Sequence, residues 1–305
     1  MTRTVLITGP TRGLGRAAVL AMAGRPAGLR PDLILVGRAL SAVAAEARTL
    51  GARVHEVVAD LSRLADVRAA AGTVREMVGD QPLHALIANA GAMSSDTRHT
   101  SADGFELTFA VNYLAHAQLI SALPTPARVV LLGSNTYYAN VWRRLLGVPE
   151  AQWRDPAELA RPATGATNPG IKAAGVAYSN AKLAILYYAH ELQRQAGPGV
   201  AVSVFEPGWM PGTDLGRGAP PALRAISRAL GRIPGVSTPQ RSGPALASVA
   251  LDDKWAGLRD GAFVLKDRVI AVQPIAHDVD RERRLWATTT KLFAASATPG
   301  SSRAL

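Results

Sequence analysis

Tyr178 and Lys182 stand four residues apart in Tyr178-Ser179-Asn180-Ala181-Lys182, a spacing that puts a phenol and an ammonium on one face of a helix. An isolated tyrosine releases its proton near pH 10, and a neighbouring cation favours the phenolate. The pair can therefore run proton chemistry at a carbonyl, with Lys182 expected to lower the proton affinity of Tyr178. By itself the pattern equally describes a solvated helix face, and the surrounding chain has to choose between the two.

A helix carrying that pair needs a scaffold, and strands alternate with helices from the start of the chain. Thr4-Val5-Leu6-Ile7-Thr8 reads as an apolar strand, and Gly9-Pro10-Thr11-Arg12-Gly13-Leu14-Gly15 turns it into a helical stretch, Arg16 to Ala23. Gly9, Gly13 and Gly15 let backbone approach a ligand, and free N–H groups at a helix start attract phosphate. A plain tight turn uses the same residues, but the position after the first strand favours a nucleotide held by Gly9, Thr11, Arg12, Gly13, Leu14 and Gly15. The continuously apolar run Leu33 to Val36 suits a parallel strand buried on both faces, and it ends on Gly37-Arg38. An acidic residue at that place reads a ribose 2′-hydroxyl; Arg38, with Arg12, favours the 2′-phosphate of NADP(H).

Val54 to Ala59 reads as the third strand and closes on Asp60-Leu61 before a helix at Leu64 to Val78. Asp60 suits either an adenine edge or the N-cap of that helix. Leu83 to Ala88 ends on Asn89-Ala90-Gly91, small enough for a nicotinamide riboside and equally good as an ordinary turn. An amphipathic helix is expected over Phe105 to Leu123, where Asn112 interrupts an apolar section and needs a partner. Val129 to Leu132 places Gly133-Ser134 at the C-terminal edge of a fifth strand, where open α/β sheets bind ligands. Residues 135–177 read as an insertion with a short helix at Pro156 to Ala160. A helix over 178–196 then leads to a sixth strand, Val200 to Phe205, closing on Glu206-Pro207-Gly208. Residues 209–240, a helical stretch bracketed by Gly and Pro, read as a substrate lid. A helix at Pro239 to Leu251, a strand at Ala262 to Leu265 and a helix at about 280–294 follow.

Composition narrows the function. The 305 residues carry a net charge of +11, but the cations are scattered rather than gathered in one basic run, so nucleic acid is not the expected partner. There is no cysteine, and none of the six histidines forms an H-x-x-x-H pair, so no metal is expected and the chemistry falls to oxygen and nitrogen groups or a cofactor. No apolar run reaches the ~18 residues of a membrane span. The N-terminus enters the first strand directly, without the regions of a signal peptide, so a soluble, cytoplasmic protein is expected.

Together these residues resemble the short-chain dehydrogenase/reductase family, with its TGxxxGxG loop, NAG element and Asn-Ser-Tyr-Lys tetrad. The matching residues are Thr8-Gly9-x-x-x-Gly13-x-Gly15, Asn89-Ala90-Gly91, Asn112, Ser134 and Tyr178-x-x-x-Lys182, with Pro207-Gly208 after the sixth strand. The resemblance implies an α/β fold: one Rossmann-type domain over 1–305, a doubly wound parallel sheet with helices on both faces. It implies Tyr178 as general acid, Lys182 lowering its pKa and holding the nicotinamide ribose, Ser134 orienting the carbonyl and Asn112 supporting a relay water. Cofactor contacts fall to the glycine loop, Arg38, Asp60, Leu61, Asn89, Ala90, Gly91, Pro207 and Gly208. The stretch before the tyrosine, the wording Tyr-Ser-Asn-Ala-Lys-Leu-Ala and the ending Arg281 to Leu292 are similar to the branch of retinol dehydrogenases and protochlorophyllide reductases. The latter use a cysteine that this chain lacks, and no apolar anchor of the membrane-associated retinol enzymes is present. The implied activity is NADPH-dependent reduction of a bulky apolar or aromatic carbonyl to its alcohol, polyketide, quinone or retinoid-like, as in secondary metabolism. The rivals are a non-catalytic NADP-binding sensor and an isomerase or epimerase on the same scaffold. Because the insertion brings Trp142, Leu145, Leu146 and Trp153 to the helix through which relatives pair, a monomer is expected, with a homodimer as the alternative.

Overall fold

Seven strands run parallel in the computed structural model, which describes residues 3–79, 81–140, 149–210 and 236–297. They are β1 (Thr4–Thr8), β2 (Asp32–Gly37), β3 (Val54–Val58), β4 (Ala85–Ala88), β5 (Arg128–Leu132), β6 (Ala201–Glu206) and β7 (Ala262–Leu265). A short strand, β8 (Arg268–Ile270), folds back antiparallel on β7, and the sheet order is β3-β2-β1-β4-β5-β6-β7-β8. The register pairs Val5 with Leu33 and with Ala85, and Leu132 with Phe205.

The helices are α1 (Gly13–Ala23), α2 (Ser41–Thr49), α3 (Leu64–Val78), α4 over 107–121, α5 (Pro156–Leu159), α6 (Gly170–Ala196), α7 (Pro239–Leu251) and α8 (Val279–Ala297). Because successive strand residues point to opposite faces, the continuous apolar strands feed two cores. Val5, Ile7, Leu33 and Leu35 pack with Leu14, Met22 and Leu246 beneath α1, α2 and α7. Leu6, Ile34 and Val36 pack with Val67, Leu119, Leu183 and Leu285 beneath α3, α4, α6 and α8. Burying each such side chain stabilises by about 1.5–3 kcal/mol relative to leaving it exposed. The chain moves from β3 on one side of β1 to β4 on the other, so strand order reverses there and a crevice opens at the C-terminal ends of β1 and β4. No helix among the described residues is long and apolar enough to cross a membrane.

Two expectations are corrected, and two further elements were not expected. The helix bearing Tyr178 begins eight residues early, at Gly170, so the end of the expected insertion is its first two turns. Gly175 hides this in the sequence; it is required because a Cβ there would stand 2.5 Å from Pro149, where the insertion crosses the helix. The helix expected over Phe105 to Leu123 is shorter and contains a π turn at Ala110–Leu114. Finally, α2 and β8 were not legible: only Val43, Ala44 and Ala47 of α2 are buried, and β8 has three residues. The lid expected over 209–240 lies outside the described residues between 211 and 235, as do Trp142, Leu145 and Leu146.

Candidate active site

The turn from β1 into α1 is shaped by glycine. Gly9 and Gly13 have φ of +63° and +53°, and a Cβ on Gly15 would lie 2.3 Å from the Gly9 carbonyl oxygen. Arg12 precedes the helix in extended conformation, and its side chain makes no capping hydrogen bond to the first turn of α1. Its N–H groups are therefore available to an anion. This turn forms one wall of a cleft of about 620 Å³. Gly9, Thr11, Arg12, Gly13, Leu14, Gly15, Arg38, Asp60, Leu61, Asn89, Ala90, Gly91 and Pro207 line it, together with Asn112, Tyr178 and Lys182. Ser134 and Gly208 are not in that lining; each follows a lining residue in the chain, Gly133 and Pro207. An uncapped helix start above a cradle only glycine can form fits a dinucleotide pyrophosphate.

At one end, exposed Arg38 holds Nη1 3.7 Å from Asp60 Oδ2. Asp60 Oδ1 accepts from Ser62 N at 2.9 Å and Ser62 Oγ at 2.8 Å. Burial opposes its charge, but these hydrogen bonds, with Arg38 and Arg63, outweigh that and hold the carboxyl below its ordinary value. Asp60 does not cap α3. Asp103 does, accepting from Leu64 N at 2.8 Å, and Asp60 is left facing the cleft.

At the centre, Asn89 Nδ2 donates to the carbonyls of Thr8 and Gly9, each at 3.0 Å. Thr8 Oγ1 accepts from Asn89 N and Ala90 N at 3.0 Å and lies 2.9 Å from His116 Nε2. His116 Nδ1 is 3.0 Å from the carbonyl oxygen of Asn112. A carbonyl only accepts, so Nδ1 carries the proton and the Thr8 hydroxyl donates to Nε2. Burial, with Lys182 nearby, pushes His116 down to about 4 and keeps it neutral. Asn112 Nδ2 donates to Ala92 O and Thr108 O, both at 2.6 Å, and its Oδ1 accepts from Ala92 N at 3.2 Å. The partner this buried amide needed is thus backbone on either side, and both its N–H groups are engaged.

At the inner end, Tyr178 is half-buried and its hydroxyl hydrogen-bonds the Ser134 side chain. Lys182 Nζ donates to Leu132 O at 2.7 Å and stands 5.5 Å from the Tyr178 ring centroid, over the ring. The expected lowering of Tyr178 by Lys182 is not what this arrangement produces. Burial, and then the Glu206 carboxylate, push the phenol above its ordinary value, against the Ser134 hydrogen bond. Burial lowers Lys182 to about 8, with Glu206 acting the other way. Neither Glu206 nor His116 belongs to the sequence motifs; their only signatures are a carboxylate ending an apolar strand and an imidazole four residues beyond Asn112.

Residues 3–128 match the family model described as short chain dehydrogenase. The chain is 31% identical over 314 residues to polyprenol dehydrogenase of Mus musculus, spanning 96% of this chain and 84% of that protein. It is 29% identical over 311 residues to retinol dehydrogenase 13 of Homo sapiens, spanning 97% and 86%. A solved short chain dehydrogenase of Burkholderia cenocepacia J2315, in complex with NADP, superposes with a TM-score of 0.62 at 23% identity, over 87% of this chain and 96% of that one.

Proposed function

Because the chain belongs to the short-chain dehydrogenase family, in its retinol dehydrogenase-like branch, we propose that it is an NADPH-dependent oxidoreductase that reduces the carbonyl of a bulky apolar metabolite to an alcohol. The observation that carries this reading is the meeting of a Tyr178–Ser134 hydroxyl pair and a buried lysine at the inner end of a glycine-walled cleft. Gly13 to Gly15 would hold the pyrophosphate, Arg38 the 2′-phosphate, and Lys182 the nicotinamide ribose. A reduced nicotinamide held there would supply a hydride, with its electron pair, to the carbonyl carbon.

Ser134 and Tyr178 hold the carbonyl oxygen by hydrogen bonds that strengthen as negative charge develops on it. The O–H bond of Tyr178 breaks, its proton passes to that oxygen, and the phenolate is reprotonated from solvent. The products are alcohol and oxidised cofactor. Met93, Leu107, Val111 and Met210 give the cleft apolar walls, and the polyprenol and retinol of the relatives' names are both long apolar alcohols, which supports an apolar substrate.

Following NADPH absorbance across a panel of ketones and aldehydes tests the reading. At least one apolar carbonyl should be consumed. Tyr178→Phe should keep NADPH binding and lose about 10²-fold or more in kcat. A variant retaining more than about a tenth of wild-type turnover would remove Tyr178 from the role of proton donor.

A further inference from the structure

Asn89, Ala90, Gly91 and Ala92 form one wall of the cleft, and this wall is held at both ends. At its start the Thr8 hydroxyl accepts from Asn89 N and Ala90 N, each at 3.0 Å. At its end the Asn112 side chain accepts from Ala92 N at 3.2 Å and donates to Ala92 O at 2.6 Å. His116 joins the two holds, with Nε2 2.9 Å from Thr8 Oγ1 and Nδ1 3.0 Å from Asn112 O. A hydroxyl has two lone pairs and one hydrogen. Both lone pairs of Thr8 face the wall, so its hydrogen needs an acceptor elsewhere, and Thr8 is fully buried, away from solvent. Nε2 is that acceptor. Without it the hydroxyl either leaves a buried hydrogen unsatisfied or turns away and releases a wall N–H.

We propose that His116 is a positioning residue that braces the Asn89–Ala92 wall from behind, through Thr8 at one end and the Asn112 backbone at the other, and so fixes the seat of the nicotinamide half of the cofactor. His116 does not line the cleft, so its effect passes through those two residues. A wall that leaves its place lowers the fraction of molecules ready to bind, and the apparent affinity falls by that fraction. The loss is selective, because Arg38 and Asp60, at the ends of β2 and β3, make the adenosine end of the cleft without His116. That the wall seats a nicotinamide rests on the oxidoreductase reading above; the brace itself does not.

The test compares, by calorimetric titration of the full chain, the affinities of NADPH and of adenosine 2′,5′-bisphosphate, which carries the adenosine end and no nicotinamide. His116→Leu removes both ring nitrogens and should weaken NADPH by about tenfold, the worth of a lost buried hydrogen bond, while leaving the bisphosphate unchanged. His116→Gln carries an acceptor about as far as Nε2 and should recover most of the NADPH loss. Thr8→Val combined with His116→Leu should bind NADPH no more weakly than Thr8→Val alone. Undiminished NADPH affinity in His116→Leu overturns the brace, and so does an equal loss for both ligands, since a general loosening of the fold spares neither. Failure of His116→Gln to recover, or losses that multiply in the double variant, overturns action through Thr8. If His116→Leu does not fold, His116→Asn, which reaches only as far as Nδ1, should show the same selective loss, and undiminished NADPH affinity there overturns the proposal. A wild-type chain that binds neither ligand would defeat the NADPH reading, and hydrogen exchange without ligand then judges the brace. The Ala90 amide should exchange about tenfold faster in the variant relative to the Gly9 amide, which is bonded to Val36 O; an unchanged ratio overturns the brace.

Discussion

His116 is buried and does not itself line the cleft, yet it joins the end of β1 to the carbonyl of Asn112 through a single tautomer. Folding lowers its proton affinity from the ordinary 6.5 to about 4. The native state thus excludes a proton that the unfolded chain takes up. Its contribution is complete above about pH 6.5 and lost as pH falls towards 4, by about 3 kcal/mol in all. Urea midpoints measured across that window should fall with pH in wild type and fall less steeply in His116→Gln; parallel slopes would show that His116 does not hold this position. Arg38 acts at the opposite end of the cleft, where its guanidinium is 72% exposed and paired with Asp60. A charge-assisted contact to a phosphate is worth about 1.5–3 kcal/mol, so kcat/KM should favour NADPH over NADH by roughly 10- to 150-fold, and Arg38→Ala should close most of that gap. Equal values for the two cofactors in wild type would refute the assignment.

Among the elements, α4 departs furthest from regular geometry, and the reason is Asn112. The π turn at Ala110–Leu114 places its amide between Thr108 O and the backbone of Ala92, so one side chain holds the helix against the loop after Gly91. A Cβ on Gly91 would lie 2.7 Å from Asn112 Oδ1, which shows how closely the two approach. Asn112→Ala strands the buried carbonyl of Thr108 and the half-buried carbonyl and N–H of Ala92, at a cost of about 2–4 kcal/mol. Equilibrium urea unfolding should register that loss; a change below about 0.5 kcal/mol would mean that the loop holds its place without the amide. The motif named Asn112 in the sequence, but its apolar neighbours Phe109, Ala110 and Val111 look the same in a regular helix, so the π turn was not visible there.

For the molecule as a whole, the insertion lies along the face of α6 that would otherwise be open. Ser179 Oγ donates to Pro149 O at 2.9 Å, Gln152 N donates to Asn180 Oδ1 at 2.8 Å, and Trp153 packs edge-on against Tyr187 with ring centroids 4.7 Å apart. Asp155 pairs with Arg284, tying the same segment to α8. With that face occupied by its own chain, pairing across a two-fold axis through α6 would first require the insertion to leave. We expect a monomer in solution. Light scattering coupled to size exclusion should return a mass near 32.0 kDa, and a stable dimer at micromolar concentration would contradict it.

The sequence by itself determined the alternating α/β order, the glycine turn after β1, and the placement of Ser134 just past β5 and of Tyr178 and Lys182 one turn apart on α6. These are local matters: parallel strands buried on both faces must be continuously apolar, and a turn needing left-handed backbone must use glycine. What only the tertiary structure decided is the state of those residues. Lys182 is hydrogen-bonded to Leu132 O, fifty residues away in the chain, and Tyr178 is governed by burial and by Glu206 from a strand on the far side of α6's connection. Spacing along a helix shows which side chains share a face. Whether a proton stays on one of them depends on desolvation and on charges brought close through space, and those arise only when β5, β6 and α6 meet.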